Sequence, residues 1–142
     1  MTTRRQSRAG SELIEFAFVL PLLLVLVFGM VDFGIALYNK AIVTAASREG
    51  ARAGTAFRTP PLSDGAVAQL VRDYCEDRLI NFGGASTTPR VEVDPAPPPG
   101  SQRRVRVEYE HHFAVISALV GLFDEAVADS VLIQAATTMR ME

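Results

Sequence analysis

Cysteine is nearly absent from this 142-residue chain, with Cys75 standing alone. One thiol excludes an intramolecular disulfide and leaves two roles, a small core residue or a link to another chain. Histidine is confined to the neighbours His111 and His112. A strand points such neighbours to opposite faces, and no acid–histidine cluster with ligand spacing lies nearby, so no metal is expected. No nucleophile–base arrangement and no phosphate-cradling glycine loop occurs. The chain therefore reads as neither an enzyme nor a binder of a cofactor or small-molecule substrate. A formal charge of −2 gives no reason to expect a nucleic-acid partner.

What the chain does have is hydrophobicity, 49% by composition, with the excess near the N-terminus. Phe16–Val31 is an unbroken apolar run, about 24 Å of helix and short for a bilayer core of about 30 Å. Extension to Leu13 and Leu37 gives an adequate span and admits only Glu15 and Asp32 as charges, roughly 26 Å apart, each able to lie near one interface. Arg4, Arg5 and Arg8 precede the run without an acid among the first ten residues. The positive-inside rule then keeps these arginines in the cytoplasm and places everything after about residue 38 outside. Removal of the whole segment as a secretory signal would need a small-residue site soon after the apolar core. Val43-Thr44-Ala45 is the nearest tolerable one and lies well beyond Val31.

From Tyr38 to Ala56 the chain is alanine-rich and free of proline, so the membrane helix should continue into water, with Lys40, Arg48, Glu49 and Arg52 as its polar face. Pro21 should only bend it, and Thr59-Pro60-Pro61 should stop it. Val67, Leu70, Val71, Tyr74 and Cys75 predict a second helix from Asp64 to about Asn81, capped by Ser63 or Asp64 and ended by Gly83-Gly84. Period two then takes over. Arg90–Asp94, Arg104–Glu110 and Val131–Met139 read as strands, the first two joined by the stiff Pro95–Gly100 connection. Phe113–Phe123 is too short to span a membrane and reads as cover for the sheet or as a docking surface.

The order of features at the start carries the functional signal. A peptidase working at the cytoplasmic membrane face needs a small residue at the scissile bond, and Gly10 supplies it. Cleavage would remove the arginine leader and free the amine of Ser11, with the helix retained. Glu15 would lie four residues from that amine on the same helix face, where an amine can neutralise it. The alternative is a flexible Gly10 and a Glu15 that reaches into the headgroups. Further along, Ala46, Gly50 and Gly54 form a small-residue stripe that admits either another helix or the chain's own sheet. Arg48, Glu49 and Arg52 beside it are either a solvated face or partners across subunits.

Glu15-Phe16-Ala17-Phe18-Val19-Leu20-Pro21, then Phe28-Gly29, Asp32-Phe33-Gly34 and Leu37-Tyr38, lead on to Ala46-Ser47-Arg48-Glu49-Gly50-Ala51-Arg52-Ala53. Together these resemble the TadE-like family of minor pseudopilins of the tight-adherence (Flp-type, type IVb) pilus machinery. The closing Met139-Arg140-Met141-Glu142 is similar to many family members, and residues 57–130 resemble no family. Phe16 stands where major Flp-type pilins commonly carry tyrosine, which fits a pseudopilin better than a fibre subunit. The resemblance implies a prepilin peptidase as partner, with Gly10, Ser11, Glu15 and Phe16 as the processing residues. It also implies other pilin-like or pilus-assembly membrane subunits as helix-packing partners.

These readings converge on an α+β protein of the bacterial cytoplasmic membrane. A basic leader, 1–10, is cleaved; 11–37 crosses the bilayer; 38–56 continues the helix outside. Residues 57–142 form a small extracytoplasmic domain with a second short helix and an antiparallel sheet of about three strands. The competing expectation is an unprocessed single-pass anchor that presents a small binding domain.

Overall fold

In the computed structural model the described residues are 6–56, 60, 62–81, 88–95, 98, 100–113, 115 and 130–140, with side chains from residue 10 onward. Helix α1 runs unbroken from Gln6 to Thr55, 50 residues and about 75 Å. Pro21 lies within it, in the stretch whose side chains are exposed. Helix α2 spans Asp64–Glu76. Three strands follow, β1 (Arg90–Val93), β2 (Gln102–His112) and β3 (Ser130–Arg140). They form an antiparallel meander in the order β1-β2-β3, so the fold is α+β as expected.

Along α1 the environment changes once. From Gly10 to Val31 every residue is exposed except the half-buried Gly29, and the side chains are mainly Leu, Ile, Val, Phe and Met. That stretch is about 33 Å long, the thickness of a bilayer core. From Asp32 onward one face is covered. Asp32, Asn39, Val43, Ala46, Ser47, Gly50, Ala51, Gly54 and Thr55 recur at helical spacing and are buried. The folded domain thus reaches α1 already at Asp32, inside the stretch 11–37 expected to cross the membrane.

Helices α1 and α2 cover one face of the sheet. Alternation along β2 sends Arg103, Val105, Val107, Tyr109 and His111 inward and Arg104, Arg106 and Glu110 outward. Val105 and Val107 meet Val43, Ala46 and Ala51 of α1 and Val67, Val71 and Cys75 of α2, with Ile133 from β3 closing the core. The exposed face is polar. Glu92 stands opposite Arg106 in register, and it pairs with Arg90 at 3.2 Å and Arg106 at 3.8 Å.

Local chemistry sets the element ends. Ser63 caps α2, its hydroxyl accepting from the Ala66 amide at 3.2 Å. That helix stops at Glu76 rather than near Asn81. Leu79 N still bonds back to Cys75 O at 2.8 Å, but the backbone of Ile80 is taken by the side chain of Asn39. Gly83-Gly84, expected to end the helix, lie outside the described residues. Strand β1 ends at Val93, and Asp94 N prolongs its ladder with a bond to Arg104 O at 3.0 Å. Gly100, at φ +87°, provides the positive-φ position of the turn closed by Ser101 N on Pro98 O. Strands β2 and β3 run one or two residues longer at each end than expected. Val131 is exposed despite its alternation with Ile133. Of the Phe113–Phe123 patch, only Phe113 and Val115 are among the described residues.

Candidate functional site

The residues expected to govern processing lie on the fully exposed first part of α1. Gly10, Ser11, Glu15 and Phe16 are all exposed, and Ser11 and Glu15 share a helix face by their spacing. A Cβ on Gly10 would meet no heavy atom within 4 Å. Packing among the described residues therefore does not require glycine there. Gly29 and Gly34 are open in the same way.

Ala46, Gly50 and Gly54 are used differently. All three face the chain's own α2 and sheet, the second of the two alternatives left open by the sequence. A Cβ at Gly50 would overlap the Cγ2 of Val71 on α2 and come within 3.3 Å of Val105 Cγ1 on β2. At Gly54 it would press on the Arg103 guanidinium, 3.1 Å from Nη1. Glycine is thus needed where α1 crosses α2 and where an arginine passes beneath it. Beside this stripe, Arg52 and Glu49 pair with each other at 2.6 Å on the solvent side of α1. That hydrogen bonding holds the Glu49 carboxyl below its usual range.

Arg103 is the polar residue that reasoning from sequence missed. Its side chain is fully buried. Nη1 donates to Gly54 O at 2.8 Å, Nε to Asp94 O at 3.1 Å, and Nη2 to the Asp64 carboxylate. The guanidinium thus meets one of the last carbonyls of α1, where a cation is favoured, and an acid in the first turn of α2, where an anion is favoured. It joins the ends of both helices to the end of β1. The available signal was parity with Val105, two positions on, which places Arg103 on the inward face.

A second polar cluster occupies the other end of the domain, beside the C-terminal end of the exposed α1 segment. Asn39 is fully buried. Its Nδ2 donates to Ile80 O at 2.7 Å, its Oδ1 accepts from Ile80 N at 3.0 Å, and Nδ2 lies 3.2 Å from His111 Nδ1. Asp32, 4% exposed, accepts from the Val115 amide at 2.9 Å. His111 is 3% exposed and stacks edge-on against Phe113, while His112 points to the other face. Burial lowers the His111 pKa, opposed by the Asp32 carboxylate and assisted by His112. Higher on the same face, Ser47 shares a 2.8 Å hydrogen bond with Thr137 of β3. Cys75 is buried in the core, and burial pushes its thiol up to about 11.

This architecture defines a class: an α+β domain built onto the C-terminal half of one long helix whose other half is long and apolar enough to cross a membrane. Residues 10–52 match the family model described as TadE-like protein. By that match the N-terminal segment is TadE-like, consistent with a TadE-like protein of the tight-adherence pilus system. The match opens on Gly10 and closes on Arg52 within α1, so the sheet domain lies outside it. No curated protein and no solved structure matches the chain. Family match and apolar helix together fit a pilus-associated membrane protein.

Proposed function

We propose that the chain is a minor pseudopilin-like subunit that takes part in assembling a tight-adherence pilus, without catalysis of its own. It inserts into the bacterial inner membrane with Arg4, Arg5 and Arg8 in the cytoplasm. A prepilin peptidase cuts after Gly10, and the retained α1 packs laterally against other pilin-like helices. An N-terminal amine, its own or a neighbour's, neutralises Glu15, and pairing with a neighbour's amine lets Glu15 set the register between helices.

The observation that carries this reading is the exposed Gly10 at the start of the TadE-like match, followed by Glu15 and about 24 Å of apolar helix that remains exposed among the described residues. Since the Ala46–Gly54 stripe faces the chain's own domain, contacts to other subunits are assigned to the Gly10–Val31 segment. Intact mass of the membrane-extracted protein is the test. Loss of residues 1–10, abolished by Gly10→Phe, is the expected result. A full-length N-terminus in cells with an active prepilin peptidase would instead identify an unprocessed single-pass anchor. Glu15→Ala should leave membrane insertion intact and reduce piliation, and normal piliation would refute the register role.

A further inference from the structure

We propose that Asn39, Ile80 and His111 form an acid-sensitive latch that ties the segment after α2 to α1, a little beyond the C-terminal end of its exposed stretch.

Hydrogen-bond direction orients the amide. A backbone N–H only donates and a backbone carbonyl only accepts. Ile80 therefore dictates which end of the Asn39 amide is which: Oδ1 faces Ile80 N at 3.0 Å and Nδ2 faces Ile80 O at 2.7 Å. With one Nδ2 hydrogen committed to Ile80 O, the other points at His111 Nδ1, 3.2 Å away. Nδ1 must then be an acceptor, so the latched imidazole is neutral and carries its proton on Nε2.

Protonation of Nδ1 places a donor against a donor. The amide cannot answer by flipping, because a flip would break both bonds to Ile80. Nor can water easily relax the contact, since Asn39 and His111 are 0% and 3% exposed. The charged groups around the ring do not remove the conflict. From α1, Asp32 favours the imidazolium but accepts from the Val115 amide at 2.9 Å. From β2, His112 disfavours it, and Tyr109, whose phenol pKa burial pushes up, flanks the ring at 6.4 Å between centroids. From β3, the residue in register with His111 is Val131, which brings no charge.

Acid thus opens the latch and frees Ile80 from α1. Linkage gives the direction. The open state binds a proton with the ordinary histidine pKa of about 6.5, the closed state only at lower pH. Closure is complete above about pH 6.5 and weakens as pH falls towards the closed-state pKa, by up to about tenfold in the opening constant per pH unit.

The test is nuclear magnetic resonance on the full chain in detergent micelles between about pH 7.5 and about pH 4.5, a range that brackets the ordinary histidine pKa. Expected are an Nε2–H tautomer for His111 at neutral pH, a titration below about 6.5, and faster intrinsic-rate-corrected exchange of the Ile80 amide as acid is added. His111→Gln, which keeps an acceptor without titrating, should flatten that dependence, while His112→Gln should leave it. Asn39→Asp should raise the His111 pKa above about 6.5, because a carboxylate accepts from the imidazolium and still accepts from Ile80 N. An Nδ1–H tautomer at neutral pH, acid-independent Ile80 exchange, or unchanged acid dependence in His111→Gln would each overturn the proposal. Should His111→Gln fail to fold, the tautomer in the unaltered chain still decides.

Discussion

Replacing Gly50 with alanine should destabilise the folded domain even though alanine is the better helix former. In an exposed helix the change would gain about 1 kcal/mol. Here the new methyl would overlap Val71 Cγ2 and press on Val105 Cγ1 at 3.3 Å, with Val67 Cγ1 at 3.8 Å. All three valines are fully buried in the core between α1, α2 and the sheet, so none can swing into solvent. Overpacking of this kind costs about 1–3 kcal/mol. We expect a net loss of about 1–2 kcal/mol, the overpacking outweighing the propensity gain. Val71→Ala alone should cost about 2 kcal/mol, from two lost methyl groups and the void. Because that void is where the methyl introduced by Gly50→Ala would go, the double variant Gly50→Ala/Val71→Ala should be more stable than additivity allows, with a coupling of about 2 kcal/mol. The measurement is chemical unfolding of the full chain in detergent micelles, followed by circular dichroism across the four members of the cycle. Gly34→Ala is the control, since its Cβ would meet nothing within 4 Å. Stabilisation of Gly50→Ala by its propensity alone, or additivity of the two substitutions within about 0.5 kcal/mol, would contradict the overlap.

Arg103→Met keeps the buried stem but removes the charged hydrogen bonds to Gly54 O, Asp94 O and Asp64, and should cost about 3 kcal/mol in the same assay. Asp64→Asn should cost less than about 1 kcal/mol, because that carboxylate is 48% exposed and solvent-screened; the reverse order would place the energy in the ion pair rather than the carbonyl contacts. Cys75, fully buried with its thiol pushed up to about 11, should resist maleimide at mildly alkaline pH in the folded chain and react with one equivalent once denatured. Rapid labelling of the folded protein would show that this core opens.

Much of this structure was legible from periodicity because the relevant forces are local or one-faced. The long helix, a cap for α2 at Ser63 or Asp64, the three strands and the membrane-length apolar run follow from spacing, and the TadE-like resemblance rested mainly on residues within one helix. Polar residues carried no such signal. Arg103 stands in a stretch with Arg104 and Arg106, so its charge suggested water, and the expected strand began one residue too late for its inward parity to be used. Asn39 stands on a helix expected to run through water, where a polar side chain gives no sign of a buried partner. Its partners, Ile80 and His111, are 41 and 72 residues away.

Neighbouring residues alone set what each segment could be: a helix that needs an apolar solvent, and alternating strands with one face to bury. How those preferences are used was settled by contacts between distant parts of the chain. Folding turned the Ala46–Gly54 stripe towards α2 and Arg103, ended α2 early because Asn39 takes the backbone of Ile80, and brought Asp32 under the domain. Each of these depends on which remote group arrives at a given face. A buried donor or a missing Cβ acquires its meaning only from the partner opposite it.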